Sequence, residues 1–369
     1  MEIRVSTSFD LEVKSLWRSF EAEAEFYPFQ TYDWLSCWHR TLGAPLHGIT
    51  LCIVVLLQGK SIHGILPFGI RTTNGVHFLE WLGGIQGDYM APVFHPQLQL
   101  SKTDFRSLWS RIKQRLPHHD VVHFVKQPRM VGKDKNPFVA YMASRIVVNA
   151  YSADLPSSWP KYCEKQIKDK ILADSRRQRR RIARKGNIRF EIAASANEAM
   201  QITNAMIREK RERYLQIGVK DILSEKTYRQ FYKECQGKIG HLGDIHCSAL
   251  FVDNNIIATH WGVVYNKRFY YLMPAHESQW AKYSPGRLLL EHLIEWAINR
   301  GLTVFDFTVG DDSYKKDWCN ITTPLYEHMK GVTYKGLIYV GLVKSRNKIR
   351  DVPLLSNGAR RIYRLIHGE

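Results

Sequence analysis

Three short stretches combine residue types that could carry group-transfer chemistry. The first is Ser284-Pro285-Gly286-Arg287, at the predicted entrance of a Leu-rich helix. A helix entrance has unpaired N–H groups and a partial positive charge, so it can hold a phosphate or pyrophosphate. Gly286 would let a ligand approach the backbone, and Arg287 adds charge. The plainer alternative is ordinary capping, with Ser284 as cap and Pro285 in the first turn. The second stretch runs from Asp306 to Lys315 (DFTVGDDSYK), a strand ending in a polar loop. Polar side chains at such strand ends are where α/β sites form. An Asp there could take a proton from an attacking amine or hydroxyl. Tyr314 could return one to a leaving thiolate, and Lys315 could hold an anionic group. The alternative is a surface loop with Asp306 capping backbone amides. The third is His260, whose imidazole titrates in the range of a general base, although a strand histidine is more often a packed core residue.

Other chemistries lack their residues. No G-x-x-x-x-G-K-[ST], G-x-S-x-G or H-E-x-x-H occurs. His118-His119 with Asp120 has metal-ligating types, but no further ligand stands at a readable spacing, so a loop and no metal are expected. The six cysteines show no C-x-x-C and no paired spacing, which argues against a disulfide scaffold or a cysteine zinc site.

These candidates need scaffolds to position them. A meander is expected from His246–Asp253, Ile256–Tyr265 and Arg268–Pro274, with turns at Asp253-Asn254-Asn255 and Asn266-Lys267. The helix after Pro285 has apolar residues at Leu288, Leu289, Leu290, Leu293, Ile294, Trp296 and Ala297, so one face is buried; Gly301 ends it. Helices are also predicted over 102–115, from Trp159 toward Lys185, over Ala196–Ile217 and over Ser224–Gln236. Strands are predicted over Ile49–Gln58 and Lys60–Ile70 with a Gly59-Lys60 turn, over Val76–Leu82 and Val121–Val125, and finally over Thr333–Val343. Each half shows helix, strand, hairpin, helix and closing strand. With 369 residues, this pattern predicts two copies of one α/β unit. The expected divisions are 1–155, 156–345 and a basic tail 346–369.

The chain is 44% apolar and carries a net charge of +18, which fits a globular protein with real cores. No apolar run approaches a bilayer span; the longest, Leu51–Leu57, has strand length. The N-terminus has early acids and no unbroken apolar stretch, so no secretory signal is expected. A cytoplasmic place is expected, with the inner membrane face as a further candidate. Lys161–Arg189 has a net charge of +9 and Lys330–Glu369 one of +7. Such fields attract a nucleotide-bearing cofactor, RNA or an anionic membrane, unless they are merely solvated helix faces.

From Val252 to Trp318 the sequence resembles the GNAT-related acetyltransferases of bacterial cellulose and exopolysaccharide gene clusters, the CelD or BcsL-like proteins. The matching residues are Ile257-Ala258-Thr259-His260-Trp261-Gly262, Phe269-Tyr270-Tyr271-Leu272, Pro274-Ala275, Tyr283-Ser284-Pro285-Gly286, Leu288-Leu289, Gly301, Phe305-Asp306-Phe307, Gly310-Asp311 and Tyr314-Lys315. Arg176 to Gly186 looks like that family's basic helix. Phe29-Gln30, Trp34, Leu66-Pro67, Leu82-Gly83-Gly84 and Asp88-Tyr89 look like its N-terminal half. The resemblance implies an α/β fold of two tandem GNAT-like domains, mixed sheets flanked by helices, shared with the Fem peptidoglycan ligases. Those relatives use aminoacyl-tRNA; ordinary GNAT enzymes use acyl-CoA. The usual Arg/Gln-x-x-Gly-x-Gly/Ala phosphate loop is altered here, with Tyr283 and Leu288 at its first and last positions.

The reading that follows is an acyltransferase acting by direct attack, with acetyl-CoA or another acyl-CoA as donor and no metal. Ser284, Gly286 and Arg287 would hold the donor. His260 or Asp306 would be the base and Tyr314 the acid. Asp311, Lys315, Trp318, Asp88 and Tyr89 would contact the acceptor, a sugar, polysaccharide precursor or peptide. Two other readings stay open: an aminoacyl-tRNA-dependent transferase, and a non-catalytic RNA- or membrane-binding protein. Both would use Arg176, Arg177, Arg179, Arg180, Arg181 and Arg184. No aromatic residue interleaves Ser175–Lys185, which counts against RNA stacking there.

Overall fold

The computed structural model describes residues 1–310 and 312–350, with side chains described to residue 345. The chain begins with β1 (Glu2–Ser6), α1 (Leu11–Glu21) and α2 (Tyr32–Trp38). Then come β2 (Thr50–Gln58), β3 (Ser61–Thr73), β4 (Val76–Trp81), the short β5 (Val93–Phe94), α3 (Lys102–Arg115) and β6 (Val121–Pro128). Two short strands, β7 (Met130–Val131) and β8 (Asp134–Lys135), precede α4 (Pro137–Tyr141) and β9 (Arg145–Asp154). The second part runs α5 (Trp159–Gln166), α6 (Asp169–Ala183), β10 (Ile188–Ile192), α7 (Ala196–Ile217), α8 (Lys226–Glu234), β11 (Lys238–Ile239), β12 (Gly243–Val252), β13 (Asn255–Tyr265) and β14 (Arg268–His276). It closes with α9 (Pro285–Asn299), β15 (Val304–Val309), β16 (Ile321–Gly331) and α10 (Tyr334–Arg350).

The main sheet has the order β1-β2-β3-β4-β6-β16-β9-β15-β14-β13-β12-β10. Its neighbours are antiparallel except β4 with β6 and β14 with β15, which are parallel. Each parallel pair brackets one crossover helix, α3 in the first half and α9 in the second, as parallel pairing requires. The two halves therefore repeat one plan. They also exchange their last strands: β9 pairs with β15, and β16 pairs with β6. The exchange fuses the halves into one sheet.

Apolar alternation explains the layers. Trp261 and Val263 of β13 pack with Trp34, Phe231 and Tyr232 in a core shared by both halves. On the other face Ala258, Phe269, Tyr271 and the Leu row of α9 form a second core. Turns fall where Asp253, Asn266 and Lys267 adopt positive φ.

Two expected elements differ. Residues 333–343 are not a strand but the start of α10. The Thr333 hydroxyl accepts the Gly336 amide at 3.2 Å and starts the helix, overriding the strand preference of Ile338, Tyr339 and Val340. The predicted helix from Trp159 to Lys185 is two helices, because Ile167 and Lys168 take extended backbone between α5 and α6. The basic tail begins inside α10, and its residues from 351 on lie outside the described residues.

Candidate active site

Strands β14 and β15 pair at only three positions, Arg268–Tyr270 with Val304–Asp306, and then separate. Past Tyr270, the β15 side of β14 has no strand partner among the described residues. A bulge on β14 sits at the same point: Trp261 pairs with Met273 and Val263 with Tyr270, so Gly262 faces two residues. A Cβ on Gly262 would lie 2.4 Å from the Tyr270 carbonyl oxygen, so a bulkier residue would disturb this bulge.

The gap holds a cavity of about 450 Å³. Its walls are Glu209, Lys210 and Arg213 of α7, Tyr271, Pro274, Ala275 and His276 of β14, the α9 entrance with Ser284, Gly286 and Arg287, and Tyr314 and Trp318 beyond β15. The α9 entrance is open. Ser284 sits at positive φ and its side chain makes no capping bond. Its carbonyl takes the Arg287 and Leu288 amides, at 3.1 and 3.3 Å. Gly286 has ordinary φ, and a Cβ there would meet only His276 Nδ1, at 3.7 Å. Its lack of a side chain thus clears the floor rather than permitting a special backbone. The Arg287 guanidinium is tied to Asp174 of α6, which anchors the basic helix beside this entrance.

Glu209 is the carboxylate of the cavity, and the sequence reading missed it. It is 1% exposed. Its Oε2 accepts from Thr259 Oγ1 at 2.6 Å, while Oε1 is buried without a partner among the described residues. Burial pushes its carboxyl up to about 7, with the Thr259 bond opposing. Beside it, burial pulls the Lys210 ammonium down to about 8. The available signal was positional: Ile202, Met206 and Glu209 occupy one buried stripe of α7, so the acid interrupts an apolar row. The charged run Arg208 to Arg213 hid it.

Several expected site residues stand elsewhere. His260 is not on the cavity. It is fully buried behind Tyr271, whose ring stacks on it at 4.7 Å with a 6° tilt. Burial, with His246 and Lys210 nearby, drives its pKa well below the usual value, so it is a neutral core imidazole. Asp306 is also sealed, at 0% exposure. Arg268 donates to its Oδ2 at 2.8 Å, Tyr89 OH lies 2.9 and 3.0 Å from its two oxygens, and the Thr308 amide donates at 2.8 Å. Burial raises its pKa, while Arg268 and the other donors oppose. Neither residue lines this cavity. Tyr89 is thereby a tie between the halves, not an acceptor contact. Lys315 is turned inward; its Nζ donates to the Val309 carbonyl at 2.8 Å and holds the loop. Asp88 pairs with Lys126 at 3.4 Å and lines a smaller cavity of about 200 Å³. That cavity also takes Leu272 and Met273, which lie on β14 between Tyr271 and Pro274 of the main cavity. Tyr314 and Trp318 do line the main cavity with Ser284, Gly286 and Arg287. Asp311 lies outside the described residues.

On α6 the arginines divide. Arg177 pairs with Asp174, Arg179 pairs with Glu291 at 2.8 Å, and Arg181 packs its guanidinium over Tyr283. Arg176, Arg180 and Arg184 are exposed at i, i+4, i+8 and form one stripe.

The sheet, its splayed parallel pair and the helix entrance are those of a tandem GNAT-like fold. Residues 169–316 match the profile described as acetyltransferase (GNAT) domain. This domain makes the chain an acyl-transferring enzyme. Among solved structures, FemX superposes with a TM-score of 0.60 at 10% identity, over 92% of this chain and 99% of that one. L-PGS from Bacillus licheniformis gives 0.52 at 12% identity, over 88% and 93%. A tandem GNAT protein from the clavulanic acid biosynthesis pathway gives 0.50 at 10%, over 90% and 99%. At these identities the likeness is one of fold. No curated protein matches the sequence. No helix among the described residues is long and apolar enough to cross a membrane.

Proposed function

We propose that the chain transfers an acyl group from acyl-CoA to an amine or hydroxyl by direct attack, within the cavity between α7, β14 and α9. The observation that carries this reading is the meeting of three features in one space. They are an uncapped helix entrance, an unpaired strand edge, and a buried carboxylate with one free oxygen. Lys210, Arg213 and Arg287 put three cationic side chains around them, which suits a phosphorylated donor.

In this reading the donor phosphates lie at the Gly286 amide and those cations. The thioester follows the free edge of β14, where backbone N–H groups can bond the carbonyl oxygen as charge develops on it. The acceptor nitrogen or oxygen attacks the carbonyl carbon and the carbon–sulfur bond breaks. Glu209 takes the acceptor's proton, and Tyr314 supplies one to the departing thiolate. A carboxyl titrating near 7 is well matched to that task. The acceptor approaches from the Asp88 side, through the smaller cavity on the same strand. A sugar or polysaccharide precursor is the acceptor class favoured by the resemblance to exopolysaccharide-cluster acetyltransferases; a peptide amine is the other candidate. A cytoplasmic place of action belongs to this reading, supported by six unpaired cysteines.

A second reading, aminoacyl-tRNA as donor, is favoured by the exposed stripe of Arg176, Arg180 and Arg184 on α6 and its C-terminal cap. Thiol release is to be followed with acetyl-CoA and longer acyl-CoAs, and aminoacyl transfer with charged tRNA, against amines, amino sugars and glycans. Turnover of an acyl-CoA supports the first reading. Turnover of charged tRNA alone moves the protein to the second, and turnover of neither defeats both.

A further inference from the structure

We propose that His77, His118 and Asp120 form a binding site for one divalent transition-metal ion of the zinc class, remote from the transfer cavity. The sequence places His118 and Asp120 in the turn between α3 and β6 and supplies no third ligand nearby. The fold brings one from β4, which runs parallel beside β6: His77. One ligand atom from each of the three residues lies within 4.8 Å of the others.

The Asp120 carboxylate sits between the two imidazoles. Its Oδ2 is 3.1 Å from His77 Nδ1, and its Oδ1 is 3.6 Å from His118 Nε2. Tetrahedral zinc with bonds of about 2.0–2.1 Å holds neighbouring ligand atoms about 3.3 Å apart, between those two separations. The two contacts fall on different carboxylate oxygens, so one ion would also draw His118 closer, and the His118 side chain is 68% exposed. The two rings already meet edge to face at 5.6 Å. Asp120 itself is fixed. The His77 amide donates to it at 2.9 Å and Thr333 Oγ1 at 2.6 Å.

The donor set decides the metal class. Two imidazoles and one carboxylate suit zinc, copper or nickel, whereas magnesium and calcium prefer oxygen ligands throughout. His119 takes no part, because its Nδ1 is held 2.9 Å from the Pro117 carbonyl. Lys335 is the opposing charge, and its ammonium is drawn aside by the Gly75 carbonyl at 2.5 Å. The site has a structural consequence. The Asp120 carbonyl takes the Val332 amide at 2.7 Å and its carboxylate takes Thr333, so the same residue seats the start of α10. A bound ion would tie β4, the α3–β6 turn and α10 together.

The test is titration of the chelator-stripped full chain with Zn²⁺ in competition with a chromogenic chelator, alongside thermal unfolding. One equivalent should bind and raise Tm by mass action. His118→Ala and the double variant H77A/H118A should weaken binding by at least about tenfold and abolish the rise, while Mg²⁺ and Ca²⁺ should not compete. His118 is exposed, so its single variant stays folded and decides the matter even if His77→Ala does not. Absence of stoichiometric binding, or binding that His118→Ala leaves unchanged, overturns the proposal.

Discussion

The two halves follow one plan, yet only the second keeps a cavity at its splayed parallel strand pair. In the first half, β4 and β6 pair at just Phe78–Val121 and Leu79–Val122 before parting, much as β14 and β15 do. There the gap is closed by the protein. The Met90 amide bonds the Lys126 carbonyl at 3.0 Å, and Met90 itself is 2% exposed. The crossover helix is closed too. Ser101 caps α3 and Asp104 reaches back to the Ser101 amide, a full capping box. In the second half the corresponding helix has no side-chain cap, and the gap remains a cavity. The lesson is that a repeated fold sets where a site can form, and local capping and filling decide whether it does.

The same contrast separates two buried carboxylates. Both oxygens of Asp306 are taken, by Arg268, Tyr89 and Thr308; Glu209 keeps one free. The largest expected effect follows from that difference. Glu209→Gln should cut transfer by about 10²–10⁴ while the protein stays folded, and should remove the rise of activity around pH 7. The same variant has a stability signature. The Glu209 carboxyl titrates higher folded than unfolded, so its protonated form stabilises the fold at low pH. That contribution is lost as pH rises through about 7. Glu209→Gln should therefore be more stable than the parent above pH 7, by an amount of order 1–3 kcal/mol, and should match it below the unfolded value, as read by urea unfolding.

Asp306→Ala should do the reverse. It strands the partly exposed Arg268 guanidinium and should cost about 1–3 kcal/mol of stability, while transfer per folded molecule is kept. The paired replacement of Asp306 by Leu and Arg268 by Met should recover most of that loss in the same unfolding assay. Loss of transfer in a folded Asp306 variant would erase the contrast. A smaller effect is expected on α6. Replacing Arg176, Arg180 and Arg184 by Ala should leave acyl-CoA turnover within about twofold. If the donor is tRNA, it should instead weaken binding and flatten its salt dependence. The smallest belongs to His260→Phe, which removes two buried nitrogens without partners. It should change stability by under about 1 kcal/mol, and turnover should not follow it.

The legible parts of this molecule were local. The β12–β13–β14 meander, its turns, the Pro285 start and the Gly301 end are written in short-range residue patterns. The strand exchange was not. The strand β16 contains Pro324 and alternates polar with apolar residues only weakly, and its partner β6 lies about 200 positions earlier. The fate of Asp306 was hidden for the same reason, since Tyr89 is 217 positions away. Glu209 was hidden differently, as one acid among many charges whose burial only the packing of α7 against Thr259 reveals. His77 joined Asp120 through strand adjacency that neither residue announces.

The account stands on the α9 entrance holding the donor. The direct measurement is calorimetric titration of acetyl-CoA and free CoA into the parent protein and into Gly286→Val, with His260→Phe as control. One-to-one binding is predicted for the parent and the control. Binding should be at least about tenfold weaker for Gly286→Val, with thermal stability nearly unchanged because the floor beneath it is open. Equal affinity in all three proteins, or no binding of either ligand by the parent, would contradict it.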